Sequence, residues 1–359
     1  MPTNKRLIGL DVARSLAIFI MVFVNFQMVL AKETTQGWLP VFFGLLHGKG
    51  AALFVILAGV GISLMLRSSL EERDSKKLWL KKSILLKRAA FLFVFGLLIL
   101  PLWPADILHF YGFFIPFGVL VAQYRSRWLW SGTAVLVLTY PFVLDIVNYD
   151  TGWDWEALEY EDLWTPVGFI RNLFINGFHP VIPWVSFIFS GIWLGRQALL
   201  NRSVQYRILL ISGSIFVLIE ITSHVLVSAA LSSKLFLLED AIALFGTQPM
   251  PPLPLYMAST TSLSFIIIIL CIIITEKFHD NRWLEALMVS GQLALTHYVL
   301  HIMVGMLSLY LFFGERNLSL TFTFCYALGF CIASAVFSIA WQKHYSRGPM
   351  SWLMRHFSG

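Results

Sequence analysis

Histidine, carboxylate and amide side chains interrupt the longest apolar stretches of this 359-residue sequence. The base that works near neutral pH is most often a histidine. An amide, a phenol or a second imidazole can donate hydrogen bonds to an oxyanion that develops on a carbonyl group. Such groups together would suit the transfer of an acyl group to a hydroxyl or an amine. The candidate residues are Asn25, His47, Asp106, His109, Tyr111 and His179.

Other kinds of acyl-transfer nucleophile have no candidate in the sequence. The Gly-x-Ser-x-Gly motif does not occur. Cys271, Cys325 and Cys331 all lie inside apolar segments. Their positions predict neither a disulfide framework nor a metal site. We therefore expect no acyl-enzyme on serine or cysteine, and no metal.

Two further polar pairs leave alternatives open. Glu220 and His224, and likewise His297 and His301, are spaced i, i+4, so each pair shares a helix face. Each pair could satisfy its own hydrogen bonds inside a helix bundle. The same residues could instead form the proton or metal path of a transporter or flippase. No inverted repeat with matching broken helices supports that second interpretation.

The composition determines what kind of element must position these side chains. Hydrophobic residues make up 58% of the chain and charged residues only 13%, and the mean hydropathy is +0.74. A soluble protein needs roughly a quarter of its residues charged. We therefore predict an all-α, polytopic membrane helix bundle that forms a single transmembrane domain over residues 1–359.

Segments of suitable length and polarity predict ten membrane spans. The fourth is short and contains Pro116, so a kink is expected there. The predicted spans cover residues 7–30, 41–66, 84–103, 107–123, 128–147, 181–199, 207–231, 255–275, 287–311 and 319–342.

Basic residues predict the orientation of these spans. With both termini in the cytoplasm, 21 of the 26 Lys and Arg residues lie on the cytoplasmic side. This topology accounts for the net charge of +6 without a nucleic-acid partner. The longest outer connection, residues 148–180, is acidic, and Thr165-Pro166 is expected to start an interfacial helix over residues 167–174 within it. The predicted location is a bacterial cytoplasmic membrane.

The topology also gives each polar candidate a depth. Asn25 lies roughly 27 Å above the inner start of the first span, and His47 about 9 Å below the outer surface in the second span, at a rise of about 1.5 Å per residue. Consecutive spans are usually neighbours, so we predict that Asn25 and His47 face one another. Asp106, His109 and Tyr111 mark the outer end of the fourth span.

Several phrases of the sequence resemble a known family. Residues 6–18 (RLIGLDVARSLAI), continued by residues 21–25 (MVFVN) and 47–61 (HGKGAALFVILAGVG), are similar to the opening of the heparan-alpha-glucosaminide N-acetyltransferase-like and YeiB-like membrane proteins. Residues 106–112 (DILHFYG), 176–184 (NGFHPVIPW) and 195–196 (GR) continue the resemblance. Trp341 and residues 347–355 (RGPMSWLMR) resemble the YeiB-like C-terminal signature.

The resemblance implies a transmembrane acyltransferase. In such proteins an acyl group passes from cytosolic acyl-CoA or acetyl-CoA to an acceptor on the outer side, and catalysis involves an asparagine and a histidine on that side. Asn25 and His47 would take these roles, with an envelope glycan as one acceptor. A homodimer in the lipid bilayer is one open arrangement.

The phosphates of coenzyme A would require cations at the inner mouth of the bundle. Lys87, Arg88 and Arg196 are available there. Asp11 and Arg14 are three residues apart, so they can either pair with each other or contact the donor.

Overall fold

The computed structural model describes residues 7–30, 37–155, 157, 159–278, 280–314 and 318–359. Arg6, which begins the N-terminal motif, lies outside the described residues, as do Glu156 of the acidic connection and His279. Lys5, Lys32 and Arg316, which contribute to the charge count, lie outside them too.

Secondary structure in the described residues is almost entirely helical. The α-helices are α1 (Ile8–Leu30), α2 (Trp38–Leu46), α3 (Lys49–Glu71), α4 (Ser75–Ile99), α5 (Leu108–Val121), α6 (Ser126–Ile146), α7 (Pro166–Arg171), α8 (Val181–Gly195), α9 (Arg202–Ser232), α10 (Leu238–Phe245), α11 (Pro254–Lys277), α12 (Arg282–Gln292), α13 (Ala294–Leu300), α14 (Leu307–Phe313), α15 (Leu320–Gln342) and α16 (Pro349–Ser358). Short π-helical segments follow α7 at Asn172–Asn176 and α13 at His301–Met306. Two strands, β1 (Trp153–Asp154) and β2 (Glu159–Tyr160), pair antiparallel.

The prediction of an all-α membrane bundle is confirmed. Within the described part of the chain, seven helices are long and apolar enough to cross a membrane. The helical segments on either side of residues 177–180 meet at 45° and can count as an eighth, broken span. The predicted total of ten spans stays a prediction.

Two of the predicted spans contain breaks that the hydropathy did not indicate. Between α2 and α3, His47 has an extended ψ of 124°, and the next residue, Gly48, has φ of 70°. The left-handed region that Gly48 occupies favours glycine. The predicted ninth span is divided at Leu293 and again by the π-helical segment that begins at His301. Both breaks place a histidine where the regular helix is interrupted.

The described residues form two compact units. The first comprises Met1–Phe54, Leu199–Leu209 and Ser264–Leu353, and the second comprises Val55–Ala198, Leu210–Leu263 and Met354–Gly359. In the first unit, α1 packs against α2, α12, α13 and α15. The approach of α1 to α12 is close, because a Cβ atom at Gly291 would collide with the carbonyl group of Asp11.

The second unit is built around two well-packed helix pairs. Helix α4 packs along α5, α5 packs on α8, and α8 packs on α6. Gly59 of α3 and Gly191 of α8 lie against each other's backbone, and a Cβ at either would meet the Cα of the other at about 3 Å. Helices in lipid have no hydrophobic driving force to associate, so their contact depends on close packing. Small residues at such a crossing allow the two backbones to approach closely.

The outer connection of the second unit is folded. Its helix α7 begins where the sequence predicts, with Pro166 as its first residue and the Thr165 hydroxyl accepting a hydrogen bond from Gly168 N at 3.0 Å. Arg171 contacts both carboxylate oxygens of Asp162, at 2.6 and 2.7 Å. Burial raises the pKa of Tyr149, and the neighbouring charge of Asp150 raises it further. These contacts give the connection a polar core of its own.

Candidate functional site

A buried carboxylate–imidazole pair lies at the start of α5. Asp106 precedes the helix, and its Oδ2 accepts two hydrogen bonds, from the His109 backbone N at 3.0 Å and from His109 Nδ1 at 2.9 Å. Asp106 is fully buried and His109 is 2% exposed. A carboxylate at a helix N-terminus is also favoured by the helix dipole. Because Nδ1 donates to the carboxylate, Nε2 is the nitrogen that remains to accept a proton.

A glycine on α4 makes room for this pair. A Cβ at Gly96 would come within 2.7 Å of Asp106 Oδ2 and would collide with the His109 backbone. The close α4–α5 contact therefore holds Asp106 and His109 in place. Tyr111, one turn into α5, is 3% exposed, and its ring lies edge-on to that of Phe114 at 5.6 Å.

His179 lies near this pair through a chain of aromatic contacts. The His109 ring contacts Phe110 at 4.0 Å between centroids, Phe110 lies edge-on to His179 at 5.7 Å, and His179 lies edge-on to Trp184 at 4.6 Å. His179 Nδ1 and Trp184 Nε1 are both buried, and neither has a hydrogen-bond partner among the described residues. A buried nitrogen without a partner is costly, so this position favours a polar guest.

The segment before His179 is fixed by the outer connection. Asn176 is fully buried, and its side-chain amide donates to the carbonyl groups of Tyr149 and Thr151, both at 2.8 Å. Its Oδ1 accepts from the Tyr160 hydroxyl at 2.8 Å. The Asn176 backbone carbonyl accepts from Trp153 Nε1 at 2.7 Å. The motif of residues 176–184 is thus held at its first residue by four hydrogen bonds.

Asn25 forms a hydrogen bond with a histidine, but that histidine is His301 and not the predicted His47. Its Nδ2 donates to His301 Nε2 at 3.0 Å. His301 Nδ1 in turn donates to the carbonyl oxygen of Tyr298. These two bonds define a neutral His301 with the proton on Nδ1, so its lone pair is engaged by Asn25. The arrangement orients the Asn25 amide, whose Oδ1 and second N–H form no hydrogen bond with the described residues.

His47 contacts the other side of α1. Its Nε2 donates to Gln27 Oε1 at 2.6 Å, which leaves Nδ1 as the basic nitrogen. Asn25 and Gln27 are two residues apart and project roughly 200° apart around a helix. The hydrogen bonds therefore direct Asn25 and His47 to different faces of α1. Among the described residues, the two side chains form no hydrogen bond with each other, although the sequence predicted that they face one another.

The predicted donor-binding residues are in different environments. Asp11 and Arg14 form the i, i+3 pair that the sequence allows, at 2.5 Å, with Asp11 4% exposed. Arg196 donates to the carbonyl groups of Ala122 and Tyr124, both at 2.8 Å, and so caps the C-terminal end of α5.

Lys87 and Arg88, both on α4, do not act as one cluster. Adjacent helical residues project about 100° apart. Lys87 is exposed, whereas Arg88 Nε is buried without a hydrogen-bond partner in the described part of the chain. Arg88 lies within electrostatic range of Arg355 in α16, and the ring of Phe357 stacks on Phe91 at 5.7 Å beside it.

The other intramembrane polar residues also have defined partners. Glu220 accepts from Ser259 Oγ at 2.5 Å and Thr247 Oγ1 at 3.3 Å, while His224 is exposed. One interpretation of the sequence was that Glu220 and His224 pair with each other. In the structure, Glu220 instead accepts hydrogen bonds from hydroxyl groups of α11 and of the segment after α10. His297 Nε2 contacts Ser338 Oγ at 2.7 Å.

Three residues of these sites were not selected by sequence reasoning. His301 was considered only as a packing or transport residue, and Gln27 and Trp184 had no role. Only the i, i+4 spacing of His297 and His301 pointed to that helix, and no local pattern connects Asn25 with a residue 276 positions away.

The fold and these side chains define a polytopic helical membrane protein with buried imidazole groups held by carboxylate and amide partners. Residues 6–228, more than half of the chain, match the family described as heparan-alpha-glucosaminide N-acetyltransferase, catalytic. Residues 194–358 match a family described as protein of unknown function (DUF418). The chain therefore belongs to the heparan-alpha-glucosaminide N-acetyltransferase catalytic family, and the resemblance noted in the sequence, including its YeiB-like part, is confirmed. No curated protein matches the chain.

Proposed function

We propose that this protein is a transmembrane acyltransferase that moves an acyl group from cytosolic acyl-CoA to an extracytoplasmic acceptor. The family match supports an acetyltransferase type of activity. The observation that carries the proposal is the buried Asp106–His109 pair, in which a carboxylate orients an imidazole and leaves Nε2 as a base. This is the arrangement that activates nucleophiles in many transferases.

His109 would act as the general base. It removes the proton from the acceptor's amine or hydroxyl as that group attacks the thioester carbonyl of the donor. The tetrahedral intermediate carries an oxyanion, and the buried Trp184 Nε1–H is a donor that can stabilise it. Its collapse forms the new amide or ester and breaks the C–S bond. The proton on His109 then passes to the departing thiolate of coenzyme A. His179 and Tyr111 would line the same region and position the acceptor.

Asn25 and His47 receive the roles that the family resemblance implies. The Asn25 amide, oriented by His301, would donate a hydrogen bond to the substrate. His47, with Nδ1 as its basic nitrogen, would assist proton transfer. Separate alanine variants of His47 and His109 distinguish the two bases, because the true general base should cost about 10²- to 10⁴-fold in rate.

The phosphates of the donor would bind to cations at the cytoplasmic end. Arg88 is the favoured candidate, because its Nε is buried without a hydrogen-bond partner among the described residues, and a phosphate oxygen could accept from it. Arg14 remains a second candidate, although one of its donors is held by Asp11. The hydrogen bonds of Arg196 favour a structural role for that residue.

The proposal includes the predicted topology. The apolar segments predict the ten spans of a single transmembrane domain, and the split of 21 basic residues against five predicts that both termini lie in the cytoplasm. A bacterial cytoplasmic membrane is the predicted location. The absence of metal from the reaction and the homodimer remain predictions. A cysteine at Thr151, placed in a variant without native cysteines, should react with an impermeant maleimide from outside intact cells. Labelling only after permeabilisation would reverse the topology.

Donor binding and transfer can be tested with purified protein. Acetyl-CoA and longer acyl-CoAs should raise its thermal unfolding midpoint, whereas a panel of transition metals should not. Radiolabelled acetyl-CoA should acetylate glucosamine, used as a probe because the family name contains an amino sugar. The His109→Gln variant should bind the donor with unchanged affinity and lose transfer. Stabilisation by metals alone, with no effect of any acyl-CoA, would favour a metal-coupled transporter instead.

A further inference from the structure

A groove of about 530 Å³ lies on the second unit between α4 and α5. Ligand sites in proteins typically enclose roughly 300–1,000 Å³. The residues that carry the argument are Trp79, Lys82, Leu86, Lys87, Val119 and Leu120. The groove is distinct from the Asp106–His109 pair, which lies at the opposite end of α5.

The helical periodicity places these residues on one wall. On α4, the positions of Trp79, Ser83, Leu86 and Ala90 recur at intervals of four, three and four residues, so these residues share a face. Lys82 and Lys87 also line the groove and lie on either side of this face. The last turn of α5 forms the opposite wall. Leu86 is 45% exposed and Leu120 62% exposed, so the floor of the groove is open and apolar.

Two cations line the groove. Among the described residues, the hydrogen bond of Lys82 Nζ goes to the neutral Gln123 Oε1, at 3.2 Å. No acidic residue lines the groove in the part of the chain that the structure describes. By contrast, Lys77 on the same helix pairs with Glu72 at 2.7 Å. The positive charge at Lys82 and Lys87 is thus left for an external anion.

Trp79 completes the pattern. It is 70% exposed, and tryptophan is enriched at the level of lipid headgroups. An apolar groove that is flanked by two lysines and has an exposed indole beside it matches an amphiphile with one negative head and an acyl chain. Basic pockets between membrane helices bind anionic headgroups for the same reason.

We propose that this groove binds one anionic phospholipid. Its phosphate would contact Lys82 and Lys87, and one acyl chain would lie along Leu86, Val119 and Leu120. Phosphatidylglycerol should therefore bind in preference to phosphatidylcholine. The inference does not depend on acyl transfer.

Native mass spectrometry of the full-length protein, released from detergent with dioleoylphosphatidylglycerol or dioleoylphosphatidylcholine, tests the proposal. We expect one phosphatidylglycerol to be retained per chain, with at least tenfold weaker retention of phosphatidylcholine. The Lys82→Gln/Lys87→Gln variant should lose that preference. The matched control is Lys76→Gln, an exposed lysine of the same helix that does not line the groove.

Other results would overturn the proposal. One is equal retention of both lipids by the wild-type protein. Another is an unchanged preference for phosphatidylglycerol in the double variant. Displacement of the lipid by one equivalent of palmitoyl-CoA, lost in the double variant but not in the control, would assign the groove to the acyl donor. A Leu120→Trp variant gives an independent readout, because an indole that fills the groove should displace the acyl chain while both lysines remain.

Discussion

Replacing Asp106 by asparagine perturbs the proposed base with almost no change in shape. Asp106 Oδ2 accepts from both the backbone N and Nδ1 of His109. In the variant, an amide oxygen in the position of Oδ2 can still accept from both nitrogens of His109, but the negative charge of the carboxylate is lost. A neutral amide stabilises less well the imidazolium that forms when His109 takes the acceptor's proton.

The expected loss of activity follows from this loss of charge beside the base. General-base catalysis contributes about 10²- to 10⁴-fold, so kcat should fall by that factor, equivalent to about 3–5 kcal/mol in the activation free energy. KM for the donor should stay unchanged, because no donor-binding residue is altered. The loss of charge-assisted hydrogen bonds should also lower the free energy of unfolding by about 1.5–3 kcal/mol.

The assay is steady-state transfer of radiolabelled acetyl groups to glucosamine by the purified protein in liposomes, at a temperature where the variant remains folded. The control is Asp145→Asn, an exposed carboxylate near the end of α6, which should leave kcat unchanged. A folded Asp106→Asn protein that transfers acetyl groups at the wild-type rate would refute the assignment of His109 as the base.

Three further predictions test the surrounding structure. Asn25→Ala and His301→Ala should each lower kcat. Because the two side chains act through one hydrogen bond, the double variant should cost about 0.5–3 kcal/mol less in activation free energy than the sum of the single changes. Additive effects would contradict this prediction. Gly96→Ala should lower the free energy of unfolding by about 1–3 kcal/mol through overpacking. The control is Gly213→Ala in α9, where a Cβ meets nothing within 4 Å, and this variant should be neutral or stabilising. Equal unfolding midpoints for Gly96→Ala and Gly213→Ala would be inconsistent with the close contact between Gly96 and α5. Arg196→Ala should lower the unfolding midpoint, because it removes the cap of α5, and should leave KM for acetyl-CoA constant. A raised KM with unchanged stability would instead support the role in donor binding that the sequence predicted for Arg196.

The architecture could be predicted from the sequence because membrane helices are specified by length and polarity alone. The segment that forms α1, for example, has a long apolar run with no competing structure. Helix α7 could be predicted from its capping residue Thr165 and the proline that follows. The breaks at His47 and His301 could not, because apolar residues on both sides hide a local change of backbone conformation.

The types of residue in the candidate site could be predicted from the sequence, but the hydrogen-bond partner of each residue could be predicted less well. The spacing of Asp106 and His109 places their side chains within one turn, and the hydrogen bond between them follows from that proximity. The sequence predicts Asn25 near the outer end of the first span, and the residue is half-buried in α1, but its hydrogen-bond partner is 276 residues away. Such a partner depends on which helices pack together, and the sequence of a single chain gives no local signal for that.

The most direct test of transmembrane acyl transfer is the sidedness of the product. The protein would be reconstituted in one orientation in sealed liposomes, with its cytoplasmic side outward, glucosamine inside and radiolabelled acetyl-CoA outside. The proposal predicts that labelled N-acetylglucosamine accumulates inside while coenzyme A stays outside, and that His109→Gln abolishes the signal. Product that forms only when donor and acceptor are on the same side of the bilayer would contradict transfer across the membrane.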